Sequence, residues 1–157
     1  MFFMANLCEN VLRISGAHED VVRFDEKFRG GKDMKDENYS FENLYPVPEL
    51  SISDKCDWCK KHWSVKGDFY EENFAKDTIR DDDMETYYYF DTAWRGPELL
   101  IQHLSREFDL EFMLVSSEPG NGIRRLVVFN NGIMTSEEEL NDEEVAYWFG
   151  KDEAASA

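Results

Sequence analysis

Two cysteines and a histidine, in the pattern Cys56-x-x-Cys59-x-x-His62, are the residues of this sequence best suited to ligate a metal ion. Zinc prefers thiolate and imidazole ligands, and a structural zinc site holds four of them in a tetrahedron. This segment offers only three, and a helix would place them only loosely on one face. Lys60 and Lys61 follow the second cysteine where a haem-attachment motif has its histidine. We therefore expect two ordinary cysteines, with no metal and no cofactor.

The remaining ionisable residues form no recognisable catalytic group. The three histidines, His18, His62 and His103, fall in separate segments, and no motif places a Ser, Cys or Asp beside them. Covalent catalysis needs a nucleophile and a base within hydrogen-bonding distance. Asp81 and Asp83 could bind calcium, but their run lacks the central glycine of a calcium-binding loop. We expect no catalytic residues, and a protein that is not an enzyme.

Acidic residues are the most unusual feature of the composition, with 34 Asp and Glu against 17 Lys and Arg and a net charge of −17. Most of the excess lies in residues 81–157, which hold 18 acids and 5 bases. A field of this sign repels nucleic acids and anionic membranes. We therefore expect no direct nucleic-acid binding, no membrane binding, and a basic protein as partner. The acids expected to contact it are Asp81, Asp82, Asp83, Glu85, Glu137, Glu138, Glu139, Asp142, Glu143 and Glu144.

Acidic residues also serve solubility, which leaves room for a second hypothesis from another class. An exposed sheet face or cleft could instead bind a peptide or a small ligand, with large aromatic side chains as anchors. The candidate anchors are Trp63, Trp94 and Trp148. Weak salt dependence of binding would distinguish this hypothesis from the acidic surface.

Hydrophobic spacing predicts the elements of the first half of the chain. Val21, Phe24 and Phe28 recur at helical spacing. Pro46 and Pro48 exclude a helix or a central strand around them. The predicted elements are a strand over 6–15, a helix over 18–29, an extended loop over 31–51, a short helix over 53–62 and a strand within 64–75.

The second half has clearer boundaries. Four consecutive aromatics, Tyr87 to Phe90, favour a strand, and Pro97 suits the first position of a helix. Ser136 and Glu139 match a capping box, which predicts a helix from Thr135. The predicted elements are a turn at 81–83, a strand over 84–91, a helix over 97–108, strands over 111–117 and 123–130 joined by a turn at 118–121, and the C-terminal helix.

The order strand, helix, strand, strand, helix, strand is that of a ferredoxin-like split βαβ sandwich, with two helices on one face of an antiparallel sheet. We predict an α+β fold of this type over residues 1–134, with an insertion at about 31–63 and one extra C-terminal strand. Residues 135–157 are expected to form an acidic C-terminal helix or tail. The other face of the sheet is left to this tail, the insertion or a partner.

Five segments of the chain resemble the YubB-type ferredoxin-like proteins, a family encoded on plasmids and bacteriophages. They are Cys8-Glu9-Asn10 with Leu12 to Gly16, Ser40 to Pro48, His62 to Lys66, Phe90 to Trp94, and Glu118-Pro119-Gly120. The sequence departs from the family pattern at Leu7, at Ser64, where glycine is usual, and at Arg95-Gly96-Pro97. The resemblance implies the ferredoxin-like fold and a mobile-element setting, and it implies no activity.

The leading hypothesis is a non-enzymatic accessory protein of a plasmid or phage that binds and inhibits a basic host protein. A nucleic-acid-binding or defence protein is the expected target, with carboxylates in the place of DNA phosphates. Three cysteines are too few, and odd in number, for a secreted disulfide scaffold. No apolar run reaches the roughly 20 residues of a membrane span. We expect a cytoplasmic protein.

Overall fold

One antiparallel sheet of six strands organises the computed structural model, which describes residues 6–32 and 38–150. The strands are β1 (Leu7–Gly16), β2 (Tyr70–Lys76), β3 (Glu85–Ala93), β4 (Leu110–Glu118), β5 (Ile123–Asn130) and β6 (Ile133–Glu139). They lie in the order β2-β3-β1-β4-β5-β6, and each neighbouring pair is antiparallel. The first four in this order form the ferredoxin-like unit, so the predicted α+β fold is confirmed.

Five α-helices surround the sheet in the described residues. They are α1 (His18–Phe28), α2 (Phe41–Leu44), α3 (Ile52–Trp63), α4 (Glu98–Glu107) and α5 (Asp142–Phe149). Buried side chains of α1 to α4 join one core cluster with the sheet, so these four helices cover the same face. The segment between α1 and β2 therefore adds two helices to the face that already carries the two helices of the ferredoxin-like unit.

Phe24 of α1 lies at the centre of this core. Its ring makes edge-to-face contacts with Phe28, Tyr88, Phe108 and Phe112, with centroids 5.2–5.9 Å apart. Contacts of this geometry stabilise a core beyond the apolar area that they bury. Aromatic packing around Phe24 therefore helps to hold α1 against the sheet.

One buried carboxylate lies beside these aromatic rings. Asp25, 4% exposed, accepts hydrogen bonds from the hydroxyls of Tyr39 (2.9 Å) and Tyr88 (2.7 Å) and pairs with Arg29 (2.7 Å). These donors replace the water that the carboxylate loses on burial. Burial, together with the nearby Asp25 charge, raises the pKa of Tyr88 well above its ordinary value.

The opposite face of the sheet holds a smaller cluster. Its buried members are Val11, Met113, Val115 and Leu140, and three half-buried side chains of α5 pack on them: Val145, Trp148 and Phe149. Strand β1 divides its side chains as the alternation predicts, because Leu12 and Ile14 belong to the helix-covered core and Val11 to the second cluster. The sheet face opposite the two helices of the ferredoxin-like unit is thus partly covered by α5.

Strand β6 is absent from the predicted elements, and the helix predicted from Thr135 begins at Asp142 instead. Asn131 (φ 56°) and Gly132 (φ 82°) form a two-residue turn that leads the chain back along β5. Asn-Gly is the preferred pair for such a turn, because both central residues need positive φ. The capping box is made by Asn141 and Glu144, not by Ser136 and Glu139.

The predicted extended loop over 31–51 also contains a single helical turn, α2. Ser40 Oγ accepts a hydrogen bond from the Asn43 amide (3.1 Å). The Asp68 carboxylate accepts two more, from the amides of Phe41 (2.9 Å) and Glu42 (3.2 Å). These acceptors satisfy the amide groups that a helix leaves unpaired at its first turn. The turn ends before the prolines, as their geometry requires.

Candidate functional site

The first group of candidate acids lies at the turn between β2 and β3. We call Asp81, Asp82, Asp83 and Glu85 the β2–β3 acids. Asp81, Asp82 and Glu85 are exposed, while the Asp83 carboxylate accepts a hydrogen bond from the Arg80 amide (2.7 Å). Among the described residues, none of the four forms an ion pair. Their charge is therefore directed to solvent.

The second group lies in β6 and in the first turn of α5. We call Glu137, Glu138, Glu139, Asp142, Glu143 and Glu144 the β6–α5 acids; all six are exposed. Two of them are paired with arginines of β5: Glu137 with Arg125 (2.8 Å) and Asp142 with Arg124.

A third member of this group has a structural role. The Glu144 carboxylate accepts a hydrogen bond from the Asn141 amide (3.1 Å) and completes the capping box of α5. Acids in a first helical turn also interact favourably with the helix dipole. About half of this group therefore has a role within the fold, whereas the β2–β3 acids are more available to a partner.

The structure does not bring the two acidic groups together. β3 and β6 are separated by three strands, so the groups lie about 19 Å apart across the sheet at the usual strand spacing. They are also offset along the strands. Strand pairing leads from Glu85 of β3 across β1, β4 and β5 to Ile133 of β6, which is four residues before Glu137. A partner would contact them as two separate patches.

The three candidate tryptophans have different environments. Trp63 is 1% exposed and packs edge-to-face on Phe41, so the prediction that it anchors a partner at the surface is wrong. The helical spacing of α3 turns this side chain into the core. Trp148 is half-buried against the sheet. Trp94 is 44% exposed, and it borders a cleft.

This cleft lies between the C-terminal end of α3 and the loop that joins β3 to α4. Its volume is about 480 Å³, and its lining residues are Lys60, Ser64, Val65, Lys66, Ala93, Trp94 and Arg95. We call it the Trp94 cleft. Ser64 ends α3 with φ 70°, a left-handed conformation that glycine adopts more easily. Its hydroxyl accepts a hydrogen bond from the Leu99 amide (3.0 Å) and so joins α3 to the first turn of α4.

The loop at Trp94 has a strained backbone. Trp94 has φ 73°, and the Arg95 amide donates to the Ala93 carbonyl (2.9 Å), so the three residues form the γ-turn with positive φ. This turn is rare and strained, and a bulky residue at positive φ is uncommon. The Trp94 amide also donates to the Asn6 carbonyl (2.8 Å), which holds the turn against the start of β1.

Buried polar groups fix the base of the same loop. Asn10 donates to the Thr92 hydroxyl (2.9 Å) and accepts from the Ser116 hydroxyl (2.8 Å), and all three side chains are buried. Thr92 in turn donates to the Arg95 carbonyl (2.6 Å). A Cβ added to Gly96 would lie 2.1 Å from Ser116 Oγ, so only glycine fits there. The loop is therefore held in one conformation by β1, β3 and β4.

The sequence did not predict Lys60, Lys66 or Arg95 as binding residues. Arg95 is about thirty positions from Lys60 and Lys66, and no local pattern predicts that it meets them. The segments His62 to Lys66 and Phe90 to Trp94, which carry part of the family resemblance, border the Trp94 cleft. Their order along the chain was visible in the sequence, but their contact depends on the tertiary fold.

Two of the three cysteines, Cys8 and Cys59, are buried. Burial raises the pKa of the Cys59 thiol to about 11 and that of Cys8 to about 12. The His62 ring stacks on Trp58 with centroids 4.3 Å apart. Within residues 6–32 and 38–150, no three His, Cys, Asp or Glu side chains form a group that could hold a metal ion. In the same ranges, no helix is both long enough and apolar enough to cross a membrane.

Comparisons with known proteins agree with this architecture. Residues 69–155 match the family described as the ferredoxin-like domain in Api92-like protein. The crystal structure of the protein Api92 from Yersinia pseudotuberculosis superposes with a TM-score of 0.62 at 11% sequence identity, over 88% of this chain and 99% of that one. At this identity the likeness concerns the fold alone. No curated protein matches the sequence. The match to the family covers more than half of the chain, which therefore belongs to the family of ferredoxin-like domains in Api92-like proteins.

Proposed function

We propose that this protein is not an enzyme and that it acts by binding a basic partner protein through the β2–β3 acids. The observation that carries this proposal is the solvent exposure of Asp81, Asp82 and Glu85 without ion pairs among the described residues. Carboxylates that are not neutralised within the fold attract a basic surface and speed its approach.

The neighbouring edge strand enlarges this patch. Glu71 and Glu72 are exposed on β2, and Asp77 follows the end of the strand. Lys76 is directed away from these acids, because its ammonium lies 3.9 Å from the buried carboxylate of Asp25. The hairpin therefore presents a predominantly negative surface, with the exposed Arg80 as a cation in its turn, and this surface favours a partner rich in Lys and Arg.

The kind of partner follows from the charge and from the family resemblance. Proteins with extended basic surfaces are commonly those that handle nucleic acids, since such surfaces neutralise phosphates. The resemblance to YubB-type proteins of plasmids and phages favours a mobile-element setting, in which the target is a nucleic-acid-binding or defence protein of the host. In this proposal the carboxylates take the place of phosphates and inhibit the target by competition.

The test is capture of partners from a bacterial lysate treated with nuclease, at increasing salt, followed by displacement with DNA. A single basic nucleic-acid-handling protein that is lost at high salt and displaced by DNA supports the proposal. A captured protein that resists both treatments contradicts it, and so does the capture of none.

Two matched variants locate the contact. The triple variant Asp81→Asn, Asp82→Asn, Glu85→Gln removes three charges from the β2–β3 acids. The control Glu138→Gln, Glu139→Gln, Glu143→Gln removes three from the β6–α5 acids that have no ion pair among the described residues. Both variants change the net charge equally, because each removes three of the negative charges that contribute to the net −17. Loss of binding only in the first variant supports the patch, whereas equal losses indicate an effect of net charge alone.

A second candidate function is a small-ligand-binding module, and the Trp94 cleft is the observation that favours it. A cleft of about 480 Å³ falls within the usual range for ligand sites. Of the three tryptophan anchors considered, Trp94 is the most exposed in the structure. A large loss of ligand binding on Trp94→Ala, with binding unchanged in the Asp81→Asn, Asp82→Asn, Glu85→Gln variant, would favour this function over the acidic patch.

A further inference from the structure

The charges around the Trp94 cleft are opposite to those of the molecule as a whole. Lys60, Lys66 and Arg95 line it, and its lining contains no acid. Some cationic side chains elsewhere are paired with acids, such as Arg13 with Glu111 and Arg29 with Asp25, whereas others, such as Lys55, Lys61 and Arg80, form no ion pair among the described residues. The three cations of the cleft form no ion pair with any described acid.

Three cations that meet without an acid among them are unexpected in this chain, because acids outnumber bases two to one, with 34 against 17. The two cavities that share lining residues with the cleft contain acids that are already engaged: Glu98 is held by Arg125 (2.9 Å), and the carboxylates of Glu42 and Asp68 accept hydrogen bonds from backbone amides. The Trp94 cleft is therefore lined by three cations and no acid, although the protein carries a net charge of −17.

One wall of the cleft is the indole ring of Trp94, whose backbone conformation is strained. Trp94 occupies a positive-φ turn that glycine would adopt without strain, and its indole is 44% exposed. Strained residues of this kind persist where the surrounding structure determines them, and they cluster at ligand sites. The hydrogen bonds of Asn6, Thr92 and Ser116 hold the turn before any ligand arrives, which lowers the entropic cost of binding.

From the cations, the ring and the volume together, we infer that the Trp94 cleft binds a small aromatic phosphate, of which a nucleoside monophosphate is the biological form. The ring of the ligand stacks on Trp94, and its phosphate lies among Lys60, Lys66 and Arg95. Arginine and lysine are the usual phosphate ligands, and bases stack on tryptophan whatever their identity. The site is distinct from the acidic patch proposed above, and it gives the second candidate function its ligand class.

A small anion fits this cleft better than a nucleic-acid strand does. Polymer binding needs a row of cations that replaces many counterions, and three cations in one cleft supply only a short contact. A long strand would also extend toward the exposed acids on the sheet edges. A monophosphate has one anionic group and gains from the three cations without this repulsion.

The test is titration of the protein with adenosine monophosphate, adenosine, inorganic phosphate and a short single-stranded DNA, followed by calorimetry. We expect saturable binding of the monophosphate, at least about tenfold tighter than that of adenosine or phosphate alone, because both halves of the site contribute. No saturation by the monophosphate in the millimolar range overturns the proposal. Tighter binding of the DNA strand than of the monophosphate also overturns it.

Neighbouring lysines provide a matched control for charge. Lys60 and Lys61 are both exposed near the end of α3, and Lys60 lines the cleft whereas Lys61 does not. Lys60→Ala and Arg95→Ala should each weaken monophosphate binding several-fold to about tenfold. Lys61→Ala should leave it unchanged. Equal losses for Lys60→Ala and Lys61→Ala would show a diffuse charge effect and no site.

A third variant separates ligand binding from folding. Trp94→Gly removes the ring but relieves the positive φ, so the protein should unfold at a urea concentration no lower than the wild type. Its affinity for the monophosphate should fall to that for inorganic phosphate. An unchanged affinity would contradict the role of Trp94. Loss of monophosphate binding in the Asp81→Asn, Asp82→Asn, Glu85→Gln variant would show that the two proposed sites are not separate.

Discussion

The two faces of the sheet are closed to very different degrees. On the face covered by α1 to α4, aromatic rings from helices and strands interlock around Phe24, and most side chains there are fully buried. On the other face, α5 covers Val11 and Val115 with side chains that stay half-buried. The first face belongs to the ferredoxin-like unit, and the second is covered by an element added after it. Most of the packing energy is therefore on one side.

Four consecutive aromatic residues of β3 are divided between these two faces. Tyr88 and Phe90 point into the helix-covered core and are almost fully buried. Tyr87 and Tyr89 lie on the other face, half-buried, with their rings 6.5 Å apart and nearly parallel. Strand geometry alone sends neighbouring residues to opposite faces, so one run of similar residues serves two different surroundings.

The largest expected effect is on the helix-covered face. Phe24→Ala should lower the free energy of unfolding by about 3–5 kcal/mol, because it removes a ring that contacts four others and leaves a cavity. Urea unfolding followed by circular dichroism measures this loss. The matched change on the other face, Val145→Ala in α5, should cost less than about 1 kcal/mol. Similar losses for both would show that the two faces contribute equally.

An intermediate effect is expected where α5 meets the sheet. Trp148→Ala should lower the free energy of unfolding by about 1–2 kcal/mol, since the indole buries only part of its surface. It should also increase the fluorescence of a hydrophobic dye, because Val11 and Val115 become accessible. The control is the adjacent Tyr147→Ala, whose side chain is 79% exposed and whose loss should change stability by less than about 0.5 kcal/mol. A loss above about 3 kcal/mol for Trp148→Ala would mean that this face is as tightly packed as the other.

The smallest expected effect concerns pH on the helix-covered face. Tyr88 has a raised pKa in the folded protein, whereas tyrosines of an unfolded chain ionise near pH 10. Above that pH the unfolded chain releases a proton that the folded chain keeps, so stability falls as pH rises. Tyr88→Phe should cost about 1 kcal/mol at neutral pH through the lost hydrogen bond to Asp25, and its stability should fall less steeply in alkali.

Urea unfolding from neutral pH to about pH 11 measures this slope. Tyr147→Phe, at a side chain that is 79% exposed, serves as the control on the other face. A Tyr88→Phe slope identical to the wild type would mean that Tyr88 does not govern the alkaline loss.

Local patterns predict the ferredoxin-like unit well and its additions less well. The spacing of Val21, Phe24 and Phe28 and the order of the strands were sufficient for α1 and for the fold. The hairpin to β6 was missed because the capping pattern of Ser136 and Glu139 competed with the Asn-Gly turn before it. The Asn-Gly turn forms because Asn131 and Gly132 both adopt positive φ, and this geometry returns the chain along β5.

The features of the candidate site also differ in how far the sequence predicts them. Exposure of the β2–β3 acids follows from a local run of aspartates, which the sequence displays. Neutralisation of Glu137 by Arg125 and of Asp142 by Arg124 depends on strand register. The Trp94 cleft depends on contacts between residues some thirty positions apart, for which one sequence contains no local signal.

The charge on the outer strands has a consequence for the protein at high concentration. Within the described residues, β2 and β6 have a neighbouring strand on one side only, and their exposed acids include Glu71, Glu72, Glu138 and Glu139. A bare strand edge is a template for joining the sheets of separate molecules, and like charges on both edges oppose this joining. Salt at 1 M shortens the range of the repulsion to about 3 Å. Edge-to-edge aggregation should therefore be suppressed in dilute buffer and promoted by concentrated salt.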